Sequence, residues 1–599
     1  MKVWFWSVVA LGVICLEASP QVPDAGTPHK AEQMMNFSLL DYRGKYYELK
    51  QTEGRAVVLF FTGNGCPIAR QSISKLRSLR GKFAKQGVTF WMVDSNLQDD
   101  RKSIAEEAKE FGVGSIPILM DESQALAKTL GIHRTAEAVA ISTTNWTIIY
   151  RGAIDNQLKE GAKKPDASET YLENALNEFL AEKPVTVANT KVSGCLINFP
   201  DERKAGAETV SYSSEVAPLL QKKCVSCHSP GNIGPWAMTS YKKVRGMSDM
   251  MQEVVLARRM PPWHADPHVG KWQNDRSLTV AETALLLNWI EQGSPRGEGP
   301  DPLEKVTAAE TQWALGKPDY VIPLPRQQSV PATGVLDYRY IDADFEMPED
   351  GWVRAAVSRP DNRKVVHHII VRIRYPAGHK SKPREEVFFT SWAPGNMSPE
   401  FPAGTGKFVP KGSTFNFEMH YNTTGKPEVD RSELGLYLLK EKPKVVFETR
   451  VTENRDLDIA PGDPNAKSFC LYNFKRDALI YDLIPHMHLR GSWFKYEALY
   501  PNGKRELLLS VPRYDFNWQT EYRLAEPKKV PAGTWLLCTG GHDNSVKSPF
   551  NPDAKKRVRW GPQSFEEMFM GFMNVAEIPS ADGKVIQEAS AESEDSAQN

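Results

Sequence analysis

The residues best equipped for chemistry in this chain are scarce: seven cysteines and twelve histidines among 599 residues. Cys224-Val225-Ser226-Cys227-His228 sets two thiols three residues apart with an imidazole directly after them. Thiols at this spacing can add to the two vinyl groups of a haem, and the following His then lies under the ring as an iron ligand. A disulfide or a partial zinc site leaves the adjacent His unexplained, and a structural zinc needs four ligands. Met260, in Arg-Met-Pro-Pro-Trp, is the expected second axial ligand, because a thioether raises the haem potential and the prolines hold the loop extended. Met238, Met247, Met250, Met251, His264 and His268 stay open as alternatives.

A second set is made of histidines and one methionine. His367-His368 lies inside the apolar run Val-Val-His-His-Ile-Ile, and His420 follows Phe415, Phe417 and Met419 on an alternating strand pattern. His486 and His488 are two apart, hence on one face of a strand, and Glu566-Glu567-Met568 comes near the end. Neighbours on a regular strand point to opposite faces, so His367 and His368 can share a metal only at a bulge or a strand end. A third candidate, Cys66, follows an apolar strand run and opens a helix, where the helix dipole favours the thiolate.

The elements that must carry these groups fall into three zones. Residues 56–61 and 88–93 read as buried strands, while 72–83, 104–111 and 168–183 read as helices, an alternation that predicts a mainly parallel sheet under helices. Residues 209–297 are mostly helical, with apolar spacing over 216–223 and 280–290. From 311 to 586 short alternating runs, among them 352–357, 365–373 and 414–421, predict antiparallel β structure long enough for two sandwiches. Residues 1–18 read as a secretory signal peptide, and 587–599 as an acidic disordered tail. Without the signal no stretch is long enough to span a bilayer, which predicts a periplasmic or secreted protein. Equal numbers of basic and acidic side chains, 74 of each, argue against a nucleic-acid partner.

Three resemblances sharpen this reading. Residues 30–183, through Phe60-Phe61-Thr62-Gly63-Asn64-Gly65-Cys66-Pro67, resemble thioredoxin-like redoxins of the peroxiredoxin and thiol-antioxidant group. Ile116-Pro117 resembles that group's cis-proline loop facing the thiol. Position 69 is Ala, so no second Cys follows at the dithiol spacing. A one-Cys peroxidase, a disulfide of Cys66 with Cys195, and a redoxin fold without activity all stay open. Residues 209–297 resemble a cytochrome c domain.

The order His-His, His, His-x-His, Glu-Met resembles the copper type II, ascorbate-dependent monooxygenases, the peptidylglycine and dopamine hydroxylase family. That resemblance implies two jelly-roll-like sandwiches, 311–455 and 456–586, each with one copper. His367, His368 and His420 would hold the first, and His486, His488 and Met568 the second, where O2 activation and hydrogen abstraction occur. Ile484 and Phe572 stand where the peptide-amidating branch has Arg and Tyr, so a more apolar substrate than a glycine-extended peptide is expected. Cys470 and Cys538 are left as a possible pair or two buried thiols.

The expected fold class is therefore multidomain: an α/β thioredoxin-like domain, a mainly α haem domain and an all-β pair of sandwiches. The expected function is hydroxylation of a small or apolar organic substrate with O2. It would use two copper ions, covalent c-type haem and ascorbate or another reductant, with a redox partner and Cys66 chemistry. The alternatives are a non-catalytic electron-transfer or copper-binding protein, and a one-Cys thiol peroxidase with the other regions as accessories.

Overall fold

The computed structural model describes residues 33–159, 162–163, 166–199, 209–307, 313, 315–334, 336–377, 386–394 and 400–578. The expected signal peptide and acidic tail lie outside the described residues.

The first region is built on the strand Ala56–Thr62, whose seven residues are all buried. Alternation sorts them: Val58 and Phe60 enter one core cluster, Val57, Leu59 and Phe61 another, so both faces of the sheet are covered. Each such apolar side chain contributes about 1.5–3 kcal/mol when fully buried. The sheet has seven strands, and the expectation of a mainly parallel arrangement is corrected here. Ala56–Thr62 pairs in parallel with Val88–Asp94, which pairs in parallel with Ile118–Met120, whereas Ser38–Asp41, Ala138–Ser142 and Ile148–Gly152 join antiparallel. Each parallel connection carries a helix, Pro67–Phe83 and then Arg101–Glu110, whereas Ala138–Ser142 and Ile148–Gly152 are joined by a short turn and pair antiparallel. The helices Pro67–Phe83 and Arg101–Glu110 cover one face through Ile73, Leu76, Phe83 and Ile104.

In the middle region the helices Ala217–Lys223, Tyr241–Gly246, Ser248–Leu256 and Val280–Glu291 pack around Tyr212, Leu220, Trp289 and Ile290. Thr279 and Glu282 form a reciprocal cap that starts the last of these helices. This region is clasped by its neighbours. Leu256 and Leu287 complete a core cluster of the first region, and Trp263 and Ala265 enter the core of the second β half. Arg101 holds Asp266 through two bonds of 2.8 Å each.

The β region differs from two independent sandwiches. One eight-stranded sheet runs through both halves, joined where Thr405–Val409 pairs in parallel with Val445–Glu453. A four-stranded sheet containing Val366–Arg374 and Thr414–Tyr421 covers the first half. Another, containing Ala466–Asn473 and Trp535–His542, covers the second. Sharing a sheet leaves fewer unpaired strand edges than two separate sandwiches would.

Candidate functional sites

Cys66 sits where a turn meets a helix. Gly65 takes the left-handed backbone conformation at φ 78°, and Pro67 opens the helix at a position whose N–H would be unpaired anyway. Cys66 is thereby the helix cap, its Sγ accepting from Ala69 N–H at 3.5 Å. Thr135 Oγ1 donates to the same sulfur at 3.0 Å. Burial pushes the Cys66 thiol up, but hydrogen bonds from Cys195, Thr135 and Ala69 outweigh it and hold the thiol below its ordinary range. Ile116-Pro117 does not fill the role its resemblance implied. Among the described residues the cis peptide is at Met260–Pro261, and the loop that faces the sulfur carries Thr135. Thr135 went unread in the sequence because no motif marks it; the chain returns to Cys66 there after 69 residues.

In the middle region His228 Nδ1 lies 3.0 Å from the Trp236 carbonyl, which fixes the proton on Nδ1 and leaves Nε2 bare. Gly234 permits this turn, since a Cβ there would meet Cys227 O at 2.7 Å and the His228 ring at 2.9 Å. Burial holds His228 below the ordinary imidazole range, so it is neutral, and pushes the Cys224 thiol up to about 12. Two thiols beside an imidazole with an open nitrogen would fit a covalently attached haem. Met260 is half-buried after the helix Ser248–Leu256, its N–H donating to Val254 O at 3.2 Å. Met238 is buried, and its N–H donates to His228 O at 2.8 Å.

The third site meets the geometric condition set by the sequence. Val366 pairs with Tyr421 and His368 with His420, so one residue, His367, is extra on its strand and forms a bulge. The bulge turns both neighbouring imidazoles to one side. His367 Nδ1 lies 3.2 Å from both His368 Nδ1 and His420 Nδ1, and the three ligand atoms all fall within 4.8 Å of one another. Phe415, Phe417 and Met419 point the other way into the core, as alternation dictates. Burial lowers His367 to about 4 and His420 to about 3, and holds His368 well below the ordinary imidazole range, so all three are neutral lone-pair donors. Such a set fits a borderline or soft transition metal such as copper.

His486 is the last residue but one of the strand Ala478–Met487, and His488 directly follows the strand; their ring centroids are 5.3 Å apart. Gln519 Oε1 lies 3.0 Å from His486 Nδ1 and the Glu566 carbonyl 3.3 Å from His488 Nδ1, and these contacts orient the two rings. Met568 directly precedes the strand Phe569–Glu577, which pairs Phe569 with Met487 and Met570 with His486. Glu567, fully buried, accepts from His488 N–H at 2.9 Å and Arg490 N–H at 2.6 Å and so ties Met568 to the histidine turn. Burial raises its carboxyl to about 8. His542 and Arg490, unremarked in the sequence, surround this carboxylate because burial obliges a polar group to find partners. Tyr338 stands between the two histidine sets, 4.7 Å from the His420 ring and 6.4 Å from that of His488.

Residues 31–154 match the AhpC/TSA family. This first region is a thioredoxin-like redoxin domain. The chain is 26% identical over 138 residues to the thiol-disulfide oxidoreductase ResA of Halalkalibacterium halodurans, covering 23% of this chain and 77% of that protein. Against the protein of the same name from Bacillus thuringiensis it is 27% identical over 97 residues, 16% of this chain and 54% of the relative. The chain thus spans about half the length of that relative. An uncharacterised conserved protein from Geobacillus kaustophilus is 24% identical, with 28% of this chain and 91% of that one covered and a TM-score of 0.26. Cys470 and Cys538 lie directly opposite each other on paired strands, both buried as thiols.

Proposed function

We propose that this chain is an exported oxidoreductase whose redoxin domain performs thiol–disulfide chemistry with Cys66 as its stabilised thiolate. The observation that carries this reading is the sulfur at the helix start, bonded by Ala69 N–H and Thr135 Oγ1. Donors aimed at a sulfur favour its anion, the form that takes part in exchange. The likeness to thiol-disulfide oxidoreductases over this domain supports it. Export rests on the leader-like residues 1–18; among the described residues no helix is long and apolar enough to cross a membrane. The test is reduction of a model protein disulfide by the full-length protein under a dithiol reductant. Cys66→Ser should abolish turnover, and undiminished turnover would overturn the reading.

The convergence of His367, His368 and His420 favours a second redox chemistry in the same chain. In this reading these three imidazoles hold one copper, and His486, His488 and Met568 hold another. Copper so bound would supply one-electron chemistry with O2 for substrate hydroxylation, with ascorbate or another reductant returning the electrons. The chain's own contribution is to keep its histidines neutral, to orient them through Gln519 and Glu566, and to exclude water. Phe572, 6.2 Å from the His486 ring and 5.2 Å from Phe388, offers an apolar wall suited to an apolar substrate. Haem on Cys224, Cys227 and His228 would carry single electrons. Arg363, four residues before His367, lies within electrostatic range of Cys227. Purified protein should contain one haem and two coppers, and absence of copper would remove this reading. Met568→Ala should lower O2-dependent hydroxylation while the first copper is retained.

A further inference from the structure

The redoxin domain lacks a second Cys at the usual spacing, yet a second thiol reaches its site from outside the domain. After the helix Tyr171–Leu180 the chain runs back along the domain as a strap. It is fastened at several points near Cys66. Arg134 donates to Gly194 O at 2.7 Å, Thr135 N–H to Cys195 O at 2.9 Å, and Ile197 N–H to His133 O at 3.0 Å. Gln124 donates to Asn198 O at 2.8 Å, and Ile197 and Phe199 are buried in a core cluster of the first region. Gly194 lets the strap come this close: a Cβ there would lie 1.6 Å from Thr135 O. One hydroxyl then joins the two cysteines, because Thr135 Oγ1 donates to Cys66 Sγ at 3.0 Å and accepts from Cys195 N–H at 3.0 Å.

We infer that Cys66 and Cys195 are a dithiol–disulfide couple that exchanges with a disulfide exposed on another protein, with Cys195 as the point of entry. This rests on the thiol reading above and adds the partner residue and the order of events. Their unequal exposure sets the order. Cys66 is 4% exposed, too little for a bulky disulfide to reach, whereas Cys195 is exposed. The Cys195 thiol loses its proton and attacks one sulfur of the substrate disulfide. The substrate S–S bond breaks, and its other sulfur leaves as a thiolate and is protonated. The Cys66 thiolate then attacks Cys195 Sγ in the mixed disulfide. A Cys66–Cys195 bond forms, the bond to substrate breaks, and the second substrate sulfur leaves. The pair is oxidised by two electrons and the substrate disulfide is reduced to two thiols; an external dithiol resets the couple by the reverse steps. Thr135 is a positioning residue here, holding Cys66 Sγ and the Cys195 backbone in one place.

The test uses the full-length holoprotein, reduced and then treated with the aromatic disulfide 5,5′-dithiobis(2-nitrobenzoate). In the wild type the couple should release two equivalents of thionitrobenzoate and retain none, and peptide mass analysis should find Cys66 joined to Cys195. In Cys66→Ser, Cys195 should release one equivalent and retain one as a mixed disulfide. In Cys195→Ser, an exposed change that leaves the core intact, protein-disulfide turnover should fall to the level of Cys66→Ser. Wild-type turnover in Cys195→Ser, with turnover lost in Cys66→Ser, would overturn the inference and leave the thiol reading standing. Full turnover in Cys66→Ser would overturn the thiol reading itself.

Discussion

The thiol site and the three-histidine site use burial to opposite ends. At both, removal from water disfavours the charged form of the group. Around Cys66, donors from Ala69, Thr135 and Cys195 reverse that preference and stabilise a thiolate. Around His367, His368 and His420 the neutral form is left in place, and three lone pairs converge at separations within 4.8 Å. A nucleophile needs a stabilised anion, whereas a metal ligand needs an unprotonated nitrogen. The same physical term therefore serves two chemistries, and the number of donors decides between them.

That contrast can be broken in order of expected effect. Cys66→Ser should lower disulfide-reductase turnover by about 100-fold or more, read with a model protein disulfide, while the affinity for added copper stays unchanged. At the other site, His420→Ala should weaken the binding of added copper by at least about 10-fold in a competition titration. It should leave thiol turnover intact; loss of all added copper from the protein would instead make the two histidine sets one cooperative site. Thr135→Val removes one donor and should shift the pH profile of Cys66 alkylation toward higher pH. An unchanged profile would mean that Ala69 and Cys195 alone hold the thiolate.

The smallest effect concerns stability. Burial, followed by repulsion from Asp99, raises the Asp94 carboxyl to about 8, and it is protonated in the folded protein at neutral pH. In the unfolded chain it ionises near pH 3.9, so its contribution to stability declines as pH rises from about 4 to about 8 and is level above that. Asp94→Asn keeps an acceptor for Asn96 without the ionisation. Its melting temperature should therefore gain on the wild type between pH 5 and pH 9, and a constant difference would show that Asp94 does not titrate there.

Much of this was readable in the residues. The strand Ala56–Thr62, the helix starting beside Cys66 and the strand Thr414–Tyr421 follow from local apolar runs, a Pro at the first helical position and alternation. The need for a bulge at His367-His368 followed from strand geometry, although its presence did not. The mixed sheet of the first region was not legible, because short apolar runs carry no sign of strand direction. Thr135, His542 and the tying role of Glu567 were missed for a related reason: each matters through a partner far away in the chain, and no short motif records that.

The sequence by itself determined the chemistry available: a haem-type Cys-x-x-Cys-His, an ordered set of histidines ending in a methionine, and a Cys at a helix start. Those properties depend on nearest neighbours and on the period of the backbone. Only the tertiary structure decided which groups meet. Packing brings Cys195 to Cys66 on a strap that closes against Thr135, and pairing of Val366 with Tyr421 but His368 with His420 forces His367 out of register. Both results come from contacts between distant segments, whose closure is set by the whole core rather than by any local run of residues.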